Sequence, residues 1–172
     1  MRKTAGVAVL VTFVASLWGS VSPAHAQANQ PPSQGQAIVQ TALSYAGSPY
    51  TATGTNPQTG FSDVGFVRYV FRSNGIRLHV HVSPGAYRRI LADGPKVARG
   101  DLQLGDIIVF KNTTHAGLSH VGIYIGDGKF VHAEWYNVGV TVTALSNDPR
   151  DGNYWTQHYV TAIRAANTAT MM

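Results

Sequence analysis

With 172 residues, 44% of them hydrophobic and only 12% charged, the chain is long enough for one core of ordinary size and too short for two. It contains no cysteine, which excludes disulfides, a cysteine nucleophile and lipid attachment to a cysteine, so stability must come from packing. The formal charge of +5 is mild, and no Lys/Arg cluster interleaved with aromatics marks a nucleic-acid surface.

The chain opens MRKTAGVAVLVTFVASLWGSVSPAHAQ. Arg2 and Lys3 form a basic start, Ala5 to Trp18 an apolar stretch, and Ala24-His25-Ala26 the small-x-small pattern that a signal peptidase accepts. The apolar stretch is shorter than the roughly 20 residues of a spanning helix, and Thr12 and Ser16 interrupt it. Residues 1–26 therefore read as a cleaved secretory signal. Its removal takes Arg2 and Lys3 and lowers the formal charge from +5 to +3. The mature protein is expected in the periplasm or outside a bacterial cell, with no membrane span. Residues 27–36, QANQPPSQGQ, read as a flexible leader, 37–165 as one folded domain, and 166–172 as a disordered tail.

From Ala37, AIVQTALSYAG spaces its apolar residues as a helix ended by Gly47. A turn-rich loop, SPYTATGTNPQTG, leads to a second helix over Phe61 to Ser73, stopped by Asn74-Gly75. A third, weaker helix follows Ser83-Pro84 as far as Leu91. Then the pattern changes. DIIVF (106–110), HVGIYIG (120–126), KFVHAEW (129–135), VTVTAL (140–145) and YVTAIRA (159–165) are short, β-branched and aromatic, and glycine turns separate them. Helices followed by a run of strands predict an α+β domain with N-terminal helices packed on a mainly antiparallel sheet.

In the same order, ALSYAGSPY, GF and GFVRYVF, then LQLGDIIVF, then SHVGIYIGDGKFVHA resemble the NlpC family of bacterial cell-wall endopeptidases, over nearly the whole predicted domain. The resemblance implies a papain-like fold in which a GF-DCSG-F segment puts a cysteine at a helix N-terminus. A histidine from the strand HVGIY and a polar residue from the next strand complete the site; by position these are His120 and His132. A helix N-terminus and a neighbouring imidazole favour the thiolate that attacks an amide. Members cleave peptidoglycan stem peptides, commonly between D-glutamate and the diamino acid. Here DCSG reads Ser62-Asp63-Val64-Gly65. Asp63 stands where the cysteine belongs, and Ser62 where some members have an aspartate that holds the substrate's amino end. In the family's PYvWGG segment Tyr50 is kept, with Thr51-Ala52-Thr53-Gly54 for the rest. Tyr50 and Ser62 are therefore the expected substrate-side residues.

Asp63 admits several readings. It is a helix N-terminal carboxylate stabilised by the dipole by about 0.3–1 kcal/mol, or the anion of an unreactive pair with a protonated His120. As a peptidase nucleophile it would form an anhydride that reverts. Asp63, His120 and His132 also make a two-histidine, one-carboxylate set of a kind compatible with zinc; otherwise no cofactor is expected. Ser62 could serve as a nucleophile only if its hydroxyl reached His120. His79 and His81 alternate on an extended segment; they, His115 and His158 read as surface groups. Tyr50, Trp135, Tyr136, Tyr154 and Trp155 could wall a groove. Two functions follow: a retired domain that still holds a peptidoglycan stem peptide, or a cell-wall enzyme as its partner, and an active hydrolase of the same substrates using metal-assisted chemistry.

Overall fold

The computed structural model describes residues 32–83, 85–135 and 138–165; the expected signal, residues 27–31 of the leader and the tail lie outside them. Helix α1 (Gln34–Leu43) starts earlier than its apolar spacing predicts. The reason is local. Ser33 and Gln36 form a capping box: Ser33 Oγ accepts from the Gln36 N–H and Gln36 Oε1 from the Ser33 N–H, satisfying two otherwise orphaned donors. Two short strands follow, β1 (Thr55–Asn56) and β2 (Gly60–Phe61), paired antiparallel. They deliver the chain into α2 (Asp63–Ser73), with Ser62 as its N-cap. Next come α3 (Ala86–Ile90), β3 (Lys96–Val97) and a 3-10 turn at Arg99–Asp101. The predicted strands are β4 (Ile107–Lys111), β5 (Leu118–Gly126), β6 (Lys129–Glu134), β7 (Gly139–Ala144) and β8 (Tyr159–Ile163). Helix α4 (Tyr154–His158) precedes the last.

The six-stranded sheet runs β3-β8-β4-β5-β6-β7, with every neighbouring pair antiparallel. The domain is therefore α+β, as its pattern of elements predicts. Ile107 to Phe110 of the central strand β4 are all buried because the sheet is covered on both faces. Ile107 and Val109 join Phe66, Val67 and Phe71 of α2, Ile90 of α3 and Val121 and Ile123 of β5 in the larger core. Ile108 and Phe110 point the other way, onto Phe130, Leu145, Ala162 and Trp155 of α4. The predicted Leu-x-x-Gly-Asp strand entry has a fixed task. Asp106, buried, accepts both arms of the Arg164 guanidinium at 2.9 Å and the Gln103 N–H, tying the start of β4 to the residue that follows β8.

The loop before α2 is seated by close backbone approaches. An alanine Cβ at Gly54 would lie 2.2 Å from the Gly60 carbonyl oxygen, and one at Gly65 would lie 1.9 Å from that of Gly54. Gly54 therefore does the work of a close-packing glycine in a segment whose other positions depart from the family pattern. This seating fixes where the first residue of α2 points.

Candidate functional site

Asp63, His120 and His132 come together, from the first turn of α2 and from neighbouring strands β5 and β6. Asp63 and His120 are each 6% exposed and His132 is 0%. Asp63 Oδ1 accepts from the Val64 N–H, and Oδ2 lies 3.1 Å from His120 Nδ1. That contact is electrostatic, because Oδ2 makes no well-aligned hydrogen bond. On the other side of the ring, His120 Nε2 is 2.8 Å from His132 Nδ1, and His132 Nε2 is 2.9 Å from Thr143 Oγ1. Arg150 closes the row: it donates to Thr143 Oγ1 at 3.0 Å and to Glu134 Oε2 at 3.1 Å.

The result is a linear chain, Asp63 to His120 to His132 to Thr143. Both ring nitrogens of His120 and both of His132 face partners within it, so the three predicted ligands do not converge on one point. Among the described residues no group of three or more His, Asp or Glu is arranged to hold a metal ion. The donor set suits zinc in type but not in geometry. The chain can carry its protons in two complete ways. With His120 charged, it donates from Nδ1 toward Asp63 and from Nε2 to His132, which donates onward to Thr143. With His120 neutral, its Nδ1 keeps the proton, and Thr143 and His132 donate in the opposite direction.

Room for this row comes from Gly122 on β5. A Cβ there would stand 2.6 Å from the Phe130 ring and 3.1 Å from His132 Cβ, which explains the glycine two residues after His120. The environment of His132 is dry, and the Glu134 carboxylate 3.7 Å from its Nε2 is outweighed. Burial first, then His120 and Arg150, hold its pKa well below the ordinary histidine value. The unfolded chain therefore takes up a proton near pH 6.5 that the folded chain refuses. Stability from this group is complete above that pH and is lost as pH falls below it, at about 1.4 kcal/mol per pH unit. Urea unfolding between pH 7.5 and 5 checks this, with His132→Gln expected to flatten the slope by about one proton.

The Asp63–His120 pair opens into a cleft of about 410 Å³. Tyr50, Tyr87, Trp135, Tyr154 and Trp155 supply its aromatic walls, Thr113, Thr114 and Ser119 its hydroxyls, and Glu134 and Asp151 two further carboxylates. Tyr50 and Trp135 stand 6.5 Å apart, ring to ring, and Trp135 is 50% exposed. Trp155 is anchored by its indole N–H to Asp151 and packs on both histidines. Tyr87 escapes sequence reasoning because it sits in the weak third helix. Its ring is held in the phenol form, pKa raised first by burial and then by the Asp63 carboxylate it approaches. Tyr136 lies outside the described residues.

Ser62 occupies a different place from the one expected of it. It is 2% exposed and does not line the cleft; its hydroxyl donates to the Gly54 carbonyl and accepts from the Gly65 N–H. With both hydrogen-bonding roles filled and no place among the residues lining the cleft, Ser62 fits neither the substrate-side nor the nucleophile reading. His115 and His158 bond backbone carbonyls at the surface, and His79 pairs with Asp93.

Residues 47–164 match the NlpC/P60 family. Gamma-DL-glutamyl hydrolase of Bacillus subtilis is 34% identical over 171 residues, covering 98% of this chain and 38% of the relative. Murein DD-endopeptidase MepH of Escherichia coli is 30% identical over 125 residues, covering 73% and 44%. The chain thus spans less than half the length of these relatives. A crystal structure of an NlpC/P60 family protein from Bacillus cereus superposes with a TM-score of 0.64 at 28% identity, over 78% of this chain and 41% of that one.

Proposed function

The chain belongs to the NlpC/P60 family, and from that premise we propose that it is a secreted or periplasmic domain that binds cell-wall stem peptides without cleaving them. The signal over residues 1–26 would deliver it there, and the aromatic cleft would hold a segment linked through D-glutamate to a diamino acid. Relatives named for gamma-glutamyl and murein peptide hydrolysis support this substrate class.

The observation that carries the reading is the Asp63 carboxylate, 3.1 Å from His120 Nδ1 at the start of α2. A carboxylate beside an imidazolium reproduces the charge pattern of a thiolate–imidazolium pair, so the surrounding row of His132 and Thr143 keeps its partners. It does not reproduce the reactivity. A carboxylate adding to an amide must make an anhydride, which returns to amide more readily than it hydrolyses. Metal-assisted hydrolysis would require His120 to leave either Asp63 or His132, and nothing in the row favours that step.

Incubating the purified protein with defined muropeptides, with and without added zinc, tests this by mass spectrometry and calorimetry. The expected result is intact muropeptide in both arms together with saturable binding. Trp135→Ala should weaken that binding about tenfold or more, the loss of an exposed aromatic anchor. New fragments at the glutamate to diamino-acid bond would replace this reading with an active hydrolase, and absence of binding would remove the substrate assignment.

A further inference from the structure

A second cleft, of about 300 Å³, is lined by Arg68 and Arg72 of α2 and by Arg77, Leu78, His79 and His81 of the extended segment after it. Its charge is one-sided. Arg68 and Arg72 stand one helical turn apart on the same face, an arrangement that costs a few tenths of a kcal/mol through repulsion. Arg72 recovers some of this from the helix C-terminus, near which it lies; Arg68 does not. None of the three guanidinium groups makes an ion pair or a side-chain hydrogen bond among the described residues. Asp93, whose side chain is buried, is engaged by the backbone N–H and ring of His79. By contrast, three of the eight acidic residues line the aromatic cleft, and none lines this one.

Three unpartnered guanidiniums converging from two segments leave an anion-sized deficit of charge and of acceptors. Each phosphodiester presents two non-bridging oxygens and a charge that persists at any pH the fold survives, so successive phosphates along one polymer can each take a guanidinium fork of Arg68, Arg72 or Arg77. The rim carries no exposed large apolar side chain, since Leu78 is buried, so nothing there is built to enter a bilayer. The geometry points to a docking site for a phosphodiester polymer, which would hold the domain on a phosphate-rich wall independently of what the aromatic cleft binds.

Titrating the full chain with poly(glycerol phosphate) tests this. Binding is expected to weaken as salt rises, and Arg68→Gln/Arg72→Gln/Arg77→Gln should lower affinity at least about tenfold and make the salt dependence shallower. Lys96→Gln/Lys111→Gln/Lys129→Gln removes the same charge from exposed positions elsewhere and should change affinity less than about twofold. Arg77→Glu alone, on an exposed loop, should weaken binding at least about threefold without altering the urea unfolding midpoint. Equal losses in the two triple variants would reduce the effect to net charge and overturn the proposal. So would equal affinity for α-linked poly-L-glutamate, binding confined to phosphatidylglycerol vesicles, or no binding of the polymer. Muropeptide binding measured on the same arginine variant should be unchanged, which separates this site from the aromatic cleft.

Discussion

Gly65→Ala is expected to destabilise the protein by at least about 4 kcal/mol, although helix propensity alone would make the change favourable by about 1 kcal/mol. Gly65 is the third residue of α2, and its N–H makes the cap bond to Ser62 Oγ. An added Cβ would stand 1.9 Å from the Gly54 carbonyl oxygen and 2.8 Å from Ser62 Oγ. The first of these cannot swing aside. It is backbone, and it already accepts from both the N–H and the hydroxyl of Ser62. Either the loop lifts off α2 or the first turn unwinds, and each carries Asp63 away from His120. Overpacking in an adaptable core costs about 1–3 kcal/mol; here the neighbour is fixed by its own hydrogen bonds, so the cost exceeds that range. Gly100→Ala is the matched control, because its Cβ would meet nothing within 4 Å; it should stay within about 0.5 kcal/mol of the parent. Urea unfolding of both variants measures the difference. A Gly65→Ala protein as stable as the parent would mean that the loop does not rest on the helix.

The same contact illustrates what the sequence disclosed and what it withheld. Strands β4 to β8 were legible because each has a run of β-branched or aromatic residues bounded by turns, and α2 because its apolar side repeats at helical spacing. β3 and α4 were not: with two and five residues, they exist through pairing to β8 and packing against Phe110 and Phe130. A period tells which face of an element is apolar; it does not tell what arrives opposite. His120 and His132 could be named from a motif, but Thr143, Arg150 and Tyr87 reach the site along the tertiary path and have no local signature. Ser62 shows the opposite failure. The resemblance pointed it at a substrate, whereas the physics of an N-cap three residues before an N–H that needs an acceptor assigns it to the backbone. The Ser33-x-x-Gln36 box was equally local, and it accounts for the early start of α1.

Asp63→Cys should convert the Asp63–His120 pair, proposed above to be inert, into a reactive one, a consequence of the proposed equivalence between Asp63 and the family's nucleophile. The thiol would occupy the first residue of α2, where the helix dipole favours an anion, with His120 Nδ1 on the side that now faces the carboxylate. His132 and Thr143 would hold that ring in position from behind, as they do in the parent. Both influences lower a thiol pKa from its usual value of about 8.5 toward the range of about 3.5–7.5 found for activated cysteines. The chain has no other cysteine, so alkylation by iodoacetamide reports this group alone. The expected result is rapid labelling at pH 6 with an inflection well below 8.5, moved up toward 8.5 by adding His120→Ala, which leaves only the helix dipole. An inflection at the ordinary value, indifferent to His120, would sink the equivalence. Reactivity and turnover separate at the next step. If the aromatic cleft lays a stem peptide across position 63, the single variant should release fragments slowly from muropeptides that the parent is expected to leave whole. A reactive thiol without fragments would place the bound peptide elsewhere in the cleft, because a nucleophile acts only on a carbonyl held within about 3–3.5 Å of it.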